Sequence, residues 1–169
     1  MKIFLIGFMG SGKTSVGKKL AKSLDSDFID LDRLVEIQTG RSINDIFSEE
    51  GEEAFRILEH NALQNLDTEK DMIIATGGGT PCHYNNMEFM KATGTTIYLR
   101  LQQEALLKRL LNVNKKRPLI KDLSDTELHH FIEKTMLERS PHYEQAQYIV
   151  ESLHITNAAA EIQELIQAT

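Results

Sequence analysis

Apolar positions along the chain fall into two alternating kinds of segment. Short runs rich in β-branched and aromatic residues, at 3–6, 28–31, 72–75, 95–99 and 147–150, predict strands. Longer stretches between them, at 15–24, 52–66, 103–111 and 126–140, carry the spacing of amphipathic helices. In 52–66 the positions Ala54, Leu58, Ala62 and Leu66 recur every four residues and mark the stripe that is buried. Arg56 lies about 200° around that helix from Ala54, at ~100° per residue, which leaves it free to reach solvent or a ligand. Ser42 followed by Asp45 resembles a capping box ahead of a helix at 43–50, and Gly51 is placed to end it. Strands separated by helices predict an α/β fold with about five parallel strands and helices on both faces, a three-layer α/β/α arrangement. Ligands of such sheets sit beyond the carboxyl ends of the strands.

Composition narrows the function classes. The chain has 169 residues with 41% apolar content, which suits one domain spanning 1–169; it contains no repeat and no low-complexity tract. Nineteen Lys and Arg against 25 Asp and Glu give a formal net charge of −6. No general electrostatic attraction to nucleic acid or to an acidic membrane is expected from that balance. Apolar runs are far shorter than the ~20 residues a membrane helix needs, and the run before Gly7 is too short for a signal peptide. Cys82 has no partner for a disulfide, so a reducing, cytoplasmic setting is expected.

The candidate chemistry begins where the first strand ends. Gly7-Phe8-Met9-Gly10-Ser11-Gly12-Lys13-Thr14 matches G-x-x-x-x-G-K-[ST] in full, with a strand before it and an amphipathic helix after it. Glycines let the backbone curl with its N–H groups inward, and the helix start adds positive potential. Lys13 is expected at the β- and γ-phosphates of a nucleotide, and the Thr14 hydroxyl on Mg²⁺. At the end of the second strand, Asp30 and Asp32 leave on one face if side chains alternate. One carboxylate could then serve a metal through water and the other an acceptor hydroxyl. Asp32 could equally cap a helix at 33–39.

The phosphate loop, the Asp30-Leu31-Asp32 pair, Gly51-Glu52-Glu53-Ala54-Phe55-Arg56, Ala75-Thr76-Gly77-Gly78-Gly79 and Lys116-Arg117-Pro118-Leu119 occur in this order. Together they closely resemble the shikimate kinase family over about residues 1–150. The resemblance implies a P-loop kinase fold and ATP- and Mg²⁺-dependent phosphorylation of the 3-hydroxyl of shikimate, in aromatic amino-acid (chorismate) biosynthesis. It implies nucleotide contacts from Gly10, Ser11, Gly12, Lys13, Thr14, Ser15, Arg109 and Arg117. It implies that Asp32 meets the reacting hydroxyl, that Thr14 and Asp30 (through water) serve the metal, and that Arg56 and Arg139 hold the substrate carboxylate. Guanidinium forks suit a carboxylate better than Lys does. Gly77, Gly78 and Gly79 would bring backbone close to the substrate. A substrate-binding helical region at about 33–61 and a mobile lid at about 112–124 complete the expectation, with Arg117 in the lid and catalytic with Lys13 and Asp32.

Plainer readings stand beside these. The triple glycine could be a strand-ending turn, the basic stretch before Pro118 a solvated loop, and Arg109 a surface helix residue. His129 and His130 are adjacent and are expected to point to different sides of a helix, unable to share a metal. His83, His142 and His154 read as isolated, Cys82 as packing, and Phe8, Met9 and Phe55 as core or pocket lining. The rival activities are a P-loop kinase for gluconate or a nucleoside monophosphate, and a non-catalytic nucleotide-binding module. The acidic charge, with no evident exposed apolar stripe, permits a monomer.

Overall fold

The computed structural model describes every residue except 68, 113–116, 152 and 169. Five strands, β1 (Lys2–Ile6), β2 (Asp27–Asp30), β3 (Met72–Ala75), β4 (Thr95–Leu99) and β5 (Tyr148–Val150), form one sheet in the order β2-β3-β1-β4-β5. All four pairings are parallel. The register sets Leu5 beside Ala75 and Asp30 beside Ala75, so the carboxyl ends of β1, β2 and β3 finish level along one edge.

Alternation along the strands divides the core. Phe4 and Ile6 of β1 face one layer, Ile3 and Leu5 the other, and all four are fully buried. Each such side chain contributes about 1.5–3 kcal/mol of burial. A sheet covered on both faces needs continuous apolar strands, and β1 reads Lys-Ile-Phe-Leu-Ile. Helices α1 (Lys13–Leu24) and α7 (Ile155–Gln167) cover the second face through Val16, Leu20, Ala158 and Ile162. The opposite face is covered by α3 (Ile43–Gln64), α4 (Asn86–Thr93), α5 (Gln103–Asn112) and α6 (Asp125–Tyr143). Helix α2 (Leu31–Thr39) follows β2 directly and adds Leu31 and Val35 to that layer. Among the described residues no helix is long and apolar enough to cross a membrane.

Three local details correct the expectations from sequence. The second strand ends at Asp30, one residue early, because Leu31 already begins a helix. Asp30, not Asp32, is its cap, with its carboxylate accepting the Arg33 N–H at 3.4 Å. Alternation therefore does not run through to Asp32, which lies in the first helical turn. The predicted helices at 43–50 and 52–66 join end to end as α3, broken at Gly51 (φ 84°, ψ 179°). Ser42 caps the first half by accepting the Asp45 N–H, as its spacing predicts. Of the lid expected at 112–124, residues 113–116 lie outside the described residues, while 117–123 form consecutive turns through bonds such as Ile120 N–H to Arg117 O at 3.1 Å.

Candidate active site

At the carboxyl edge of the sheet, two cavities adjoin. The smaller, about 480 Å³, opens on Gly10, Gly12, Lys13, Thr14, Ser15 and Arg109. The larger, about 860 Å³, opens on Arg56, Gly79, Arg139, Phe47, Phe55 and Leu119. Six residues line both: Thr14, Asp30, Asp32, Gly77, Gly78 and Arg117. Residues from four separate segments of the chain thus meet along one seam.

The small cavity is built by the loop between β1 and α1. Gly10 and Gly12 take left-handed conformations (φ 81° and 99°) that turn the backbone around the cavity. Helix α1 starts without a side-chain cap, so its first N–H groups remain directed at the cavity. The Lys13 ammonium donates to the loop's own carbonyls, Gly7 O at 2.7 Å and Phe8 O at 2.9 Å. Burial, reinforced by the Arg117 charge, lowers its pKa to about 7. Ser11 is buried, and its hydroxyl has no partner among the described residues. Arg109 donates to Gly10 O at 3.0 Å and to Leu153 O at 2.7 Å, tying the end of α5 to the loop and to the stretch after β5. Ile155 lines the cavity from that side.

On the seam, the Thr14 hydroxyl donates to Asp30 Oδ2 at 2.8 Å. Two hard oxygen donors so placed, neither of them sulfur or imidazole, suit Mg²⁺. Asp32 is half-buried, and its Oδ1, fully shielded, has no hydrogen-bond partner among the described residues. Burial, and then the charges of Glu59 and Asp30, raise its pKa to about 6. Asp32 lines both cavities while its Oδ1 is sealed beside Gly77, where an added Cβ would stand 3.0 Å from it; a carboxylate so placed is a hydrogen-bond acceptor on the seam.

The large cavity holds the cations. Of the two readings that the helical angle of Arg56 leaves open, solvent or a ligand, the structure excludes solvent: the residue is 3% exposed and lines the cavity. Its Nη1 donates to Glu59 at 2.9 Å, and its Nε and Nη2 to Glu52 Oε1 at 3.2 and 3.0 Å. Burial works against the guanidinium charge, but Glu59 and Glu52 outweigh it and hold the pKa above its ordinary value. Glu59, wholly buried, also accepts from the Thr80 hydroxyl. Glu59 escaped the sequence reading, although its place three residues after Arg56 puts it on the same helical face. A Cβ on Gly79 would stand 2.4 Å from the Arg56 guanidinium, so only glycine lets the backbone approach it there. Arg139, on α6, lies over the Phe8 ring at 5.9 Å. Met9 and Phe55 line the cavity, whereas Phe8 sits in the core beneath it.

The residues set aside from sequence stay outside the seam. Burial raises the Cys82 thiol to about 11, which keeps it an unreactive packing group. His129 and His130 do not diverge as adjacency suggests: with Glu133 they bring ligand atoms within 4.8 Å of one another, and all three are exposed.

Comparison with known proteins agrees with this arrangement. The family model for shikimate kinase matches residues 9–169. A shikimate kinase from Parabacteroides distasonis is 47% identical over 145 residues, covering 86% of this chain and 84% of that protein. The crystal structure of shikimate kinase from Bacteroides thetaiotaomicron superposes with a TM-score of 0.93 at 40% identity, covering 99% of this chain and 98% of that one. Shikimate kinase from Acinetobacter baumannii, solved in complex with shikimate, gives 0.90 at 36% identity, covering 99% and 93%. With a matching family model over nearly its whole length and relatives this similar, the chain belongs to the shikimate kinase family.

Proposed function

We propose that this chain transfers the γ-phosphoryl group of ATP to the 3-hydroxyl of shikimate, giving shikimate 3-phosphate and ADP. The observation that carries the assignment is the shared seam: a phosphate-cradling cavity and a cation-lined cavity open onto each other at Thr14, Asp30, Asp32 and Arg117. Phosphoryl transfer asks for little covalent chemistry from the protein and a great deal of positioning and charge neutralisation.

Gly10, Ser11, Gly12, Thr14 and Ser15 surround the nucleotide phosphates, with Arg109 flanking the nucleotide. Lys13 exchanges two loop carbonyls for phosphate oxygens, and an anion beside it restores its full charge. Thr14, and Asp30 through water, would hold Mg²⁺, which supplies charge neutralisation on the phosphates. Asp32 accepts the hydrogen bond of the reacting hydroxyl and takes the proton as transfer proceeds. Arg56 and Arg139 hold the carboxylate of the acceptor, while Gly77, Gly78 and Gly79 let backbone approach its ring. Arg117 lines both cavities and offsets charge on the group in flight. Residues 33–61 form the acceptor-binding region and 112–124 the lid, within a single domain. A cytoplasmic monomer fits the single Cys and net charge of −6.

The test measures ADP release from Mg-ATP with shikimate, gluconate and a set of nucleoside monophosphates. Release that depends on shikimate is expected. Asp32→Asn is expected to lower kcat by on the order of 100-fold. Arg56→Lys, which keeps the charge beside Glu59 but removes the fork, is expected to raise the KM for shikimate by about tenfold. Turnover confined to another acceptor would overturn the substrate, and nucleotide binding without turnover on any acceptor would overturn the activity.

A further inference from the structure

Tyr143 lines neither cavity, yet it is bonded to a residue that lines both. It is the last residue of α6 and fully buried, its ring packed on Tyr98 with centroids 5.1 Å apart. Its hydroxyl donates to Gly78 O at 2.5 Å. Arg139, one turn earlier on the same helix, brings its guanidinium beside that same glycine. Gly78 is itself pressed between the two halves of the site: a Cβ there would lie 3.3 Å from both Arg139 Nη1 and the Met9 amide nitrogen. Pro141 lies in the last turn of α6 and has no N–H to give, so that turn keeps one backbone bond fewer. The Tyr143 bond ties that turn to the glycine segment after β3.

We propose that Tyr143 is a positioning residue: its hydroxyl joins the end of α6 to the glycine turn after β3 and thereby fixes how Arg139 meets the carboxylate of the acceptor. The proposal rests on the acceptor assignment made above. Burial raises the phenol's pKa far above neutrality, so the hydroxyl remains a donor throughout the working range. The ring alone fills the space; the oxygen carries the positioning.

Tyr143→Phe removes that oxygen and keeps the ring, and Tyr98→Phe serves as the control on the other ring of the pair. Steady-state kinetics are measured with shikimate and with its carboxamide analogue, which lacks the anionic charge. For Tyr143→Phe the expected result is a shikimate KM raised about tenfold, with the ATP KM changed by less than about twofold. The wild-type preference for carboxylate over carboxamide is expected to shrink by about fivefold, because the lost hydroxyl and the substrate's charge are coupled through Arg139. Tyr98→Phe leaves all three quantities unchanged. A merely structural role would lower kcat or thermal stability while leaving the preference intact, and that result overturns the proposal alone. Absence of shikimate-dependent turnover in the wild type overturns the acceptor assignment and the proposal together. If Tyr143→Phe does not fold, the wild type provides a second reading. It has four Tyr and no Trp, so its near-ultraviolet difference spectrum reports on tyrosine. Shikimate, but not ADP, is expected to perturb that band; an unchanged band overturns the proposal.

Discussion

Asp32 carries its charge where burial and two neighbouring carboxylates oppose it. Its folded-state pKa of about 6 lies above the ordinary 3.8, so the fold favours the protonated form. The associated stability is present in full below pH ~4 and is lost as the pH rises through about 6. Asp32→Asn is therefore expected to unfold at higher urea than the wild type at pH 7.5, by about 1–3 kcal/mol, with the gain vanishing toward pH 4. Urea titrations of both proteins across that range check the sign, and a gain in stability alongside lost activity marks a site strained for function. At this scale the sequence announces residues whose chemistry is carried by short motifs, such as Lys13, Thr14 and the Asp30–Asp32 pair. It does not announce Glu59, because an acid on a helix usually means solvent, and only burial beside Arg56 and Thr80 gives it a role.

Among the elements, the strands and helices α1, α3, α5 and α6 were legible because their periodicity reflects which face is buried, whereas α7 was not singled out. Helix α4 was not: it is short, and its buried set of Asn86, Met87 and Met90 includes an amide that donates to Thr80 O at 3.0 Å, so polarity hides its inner face. The break inside α3 was legible as Gly51, and its geometry explains the residue. A φ of 84° with ψ near 180° is accessible almost only to glycine. Gly51→Ala is expected to destabilise the fold by about 1–3 kcal/mol, although a Cβ there meets nothing within 4 Å. Thermal unfolding checks this, and an unchanged Tm would mean that the kink relaxes without cost. Because the break lies between Ser42 and Arg56, straightening it would redirect the half of α3 that carries Arg56 and Glu59.

For the whole molecule, the two cavities lie at the edge where β1, β2 and β3 end together, so ligands there reward the folded state and not its parts. ADP with Mg²⁺ at about a hundred times its Kd is expected to add about 2.7 kcal/mol of stability. For a chain of this size that raises Tm by about 5–10 °C. A melting series with increasing nucleotide checks it, and Lys13→Ala is expected to abolish most of the shift. Strand order has a further consequence, for synthesis. β1 lies at the centre of the sheet, yet both of its partners come later in the chain: Lys2 pairs with Met72, and Ile3 with Thr95. While a ribosome is still making the chain, this largely apolar strand waits with both edges open until β3 and then β4 emerge. That interval is when a nascent chain is most exposed to wrong pairing, so synonymous changes that slow translation between β1 and β4 would lower the yield of active protein without altering a single residue.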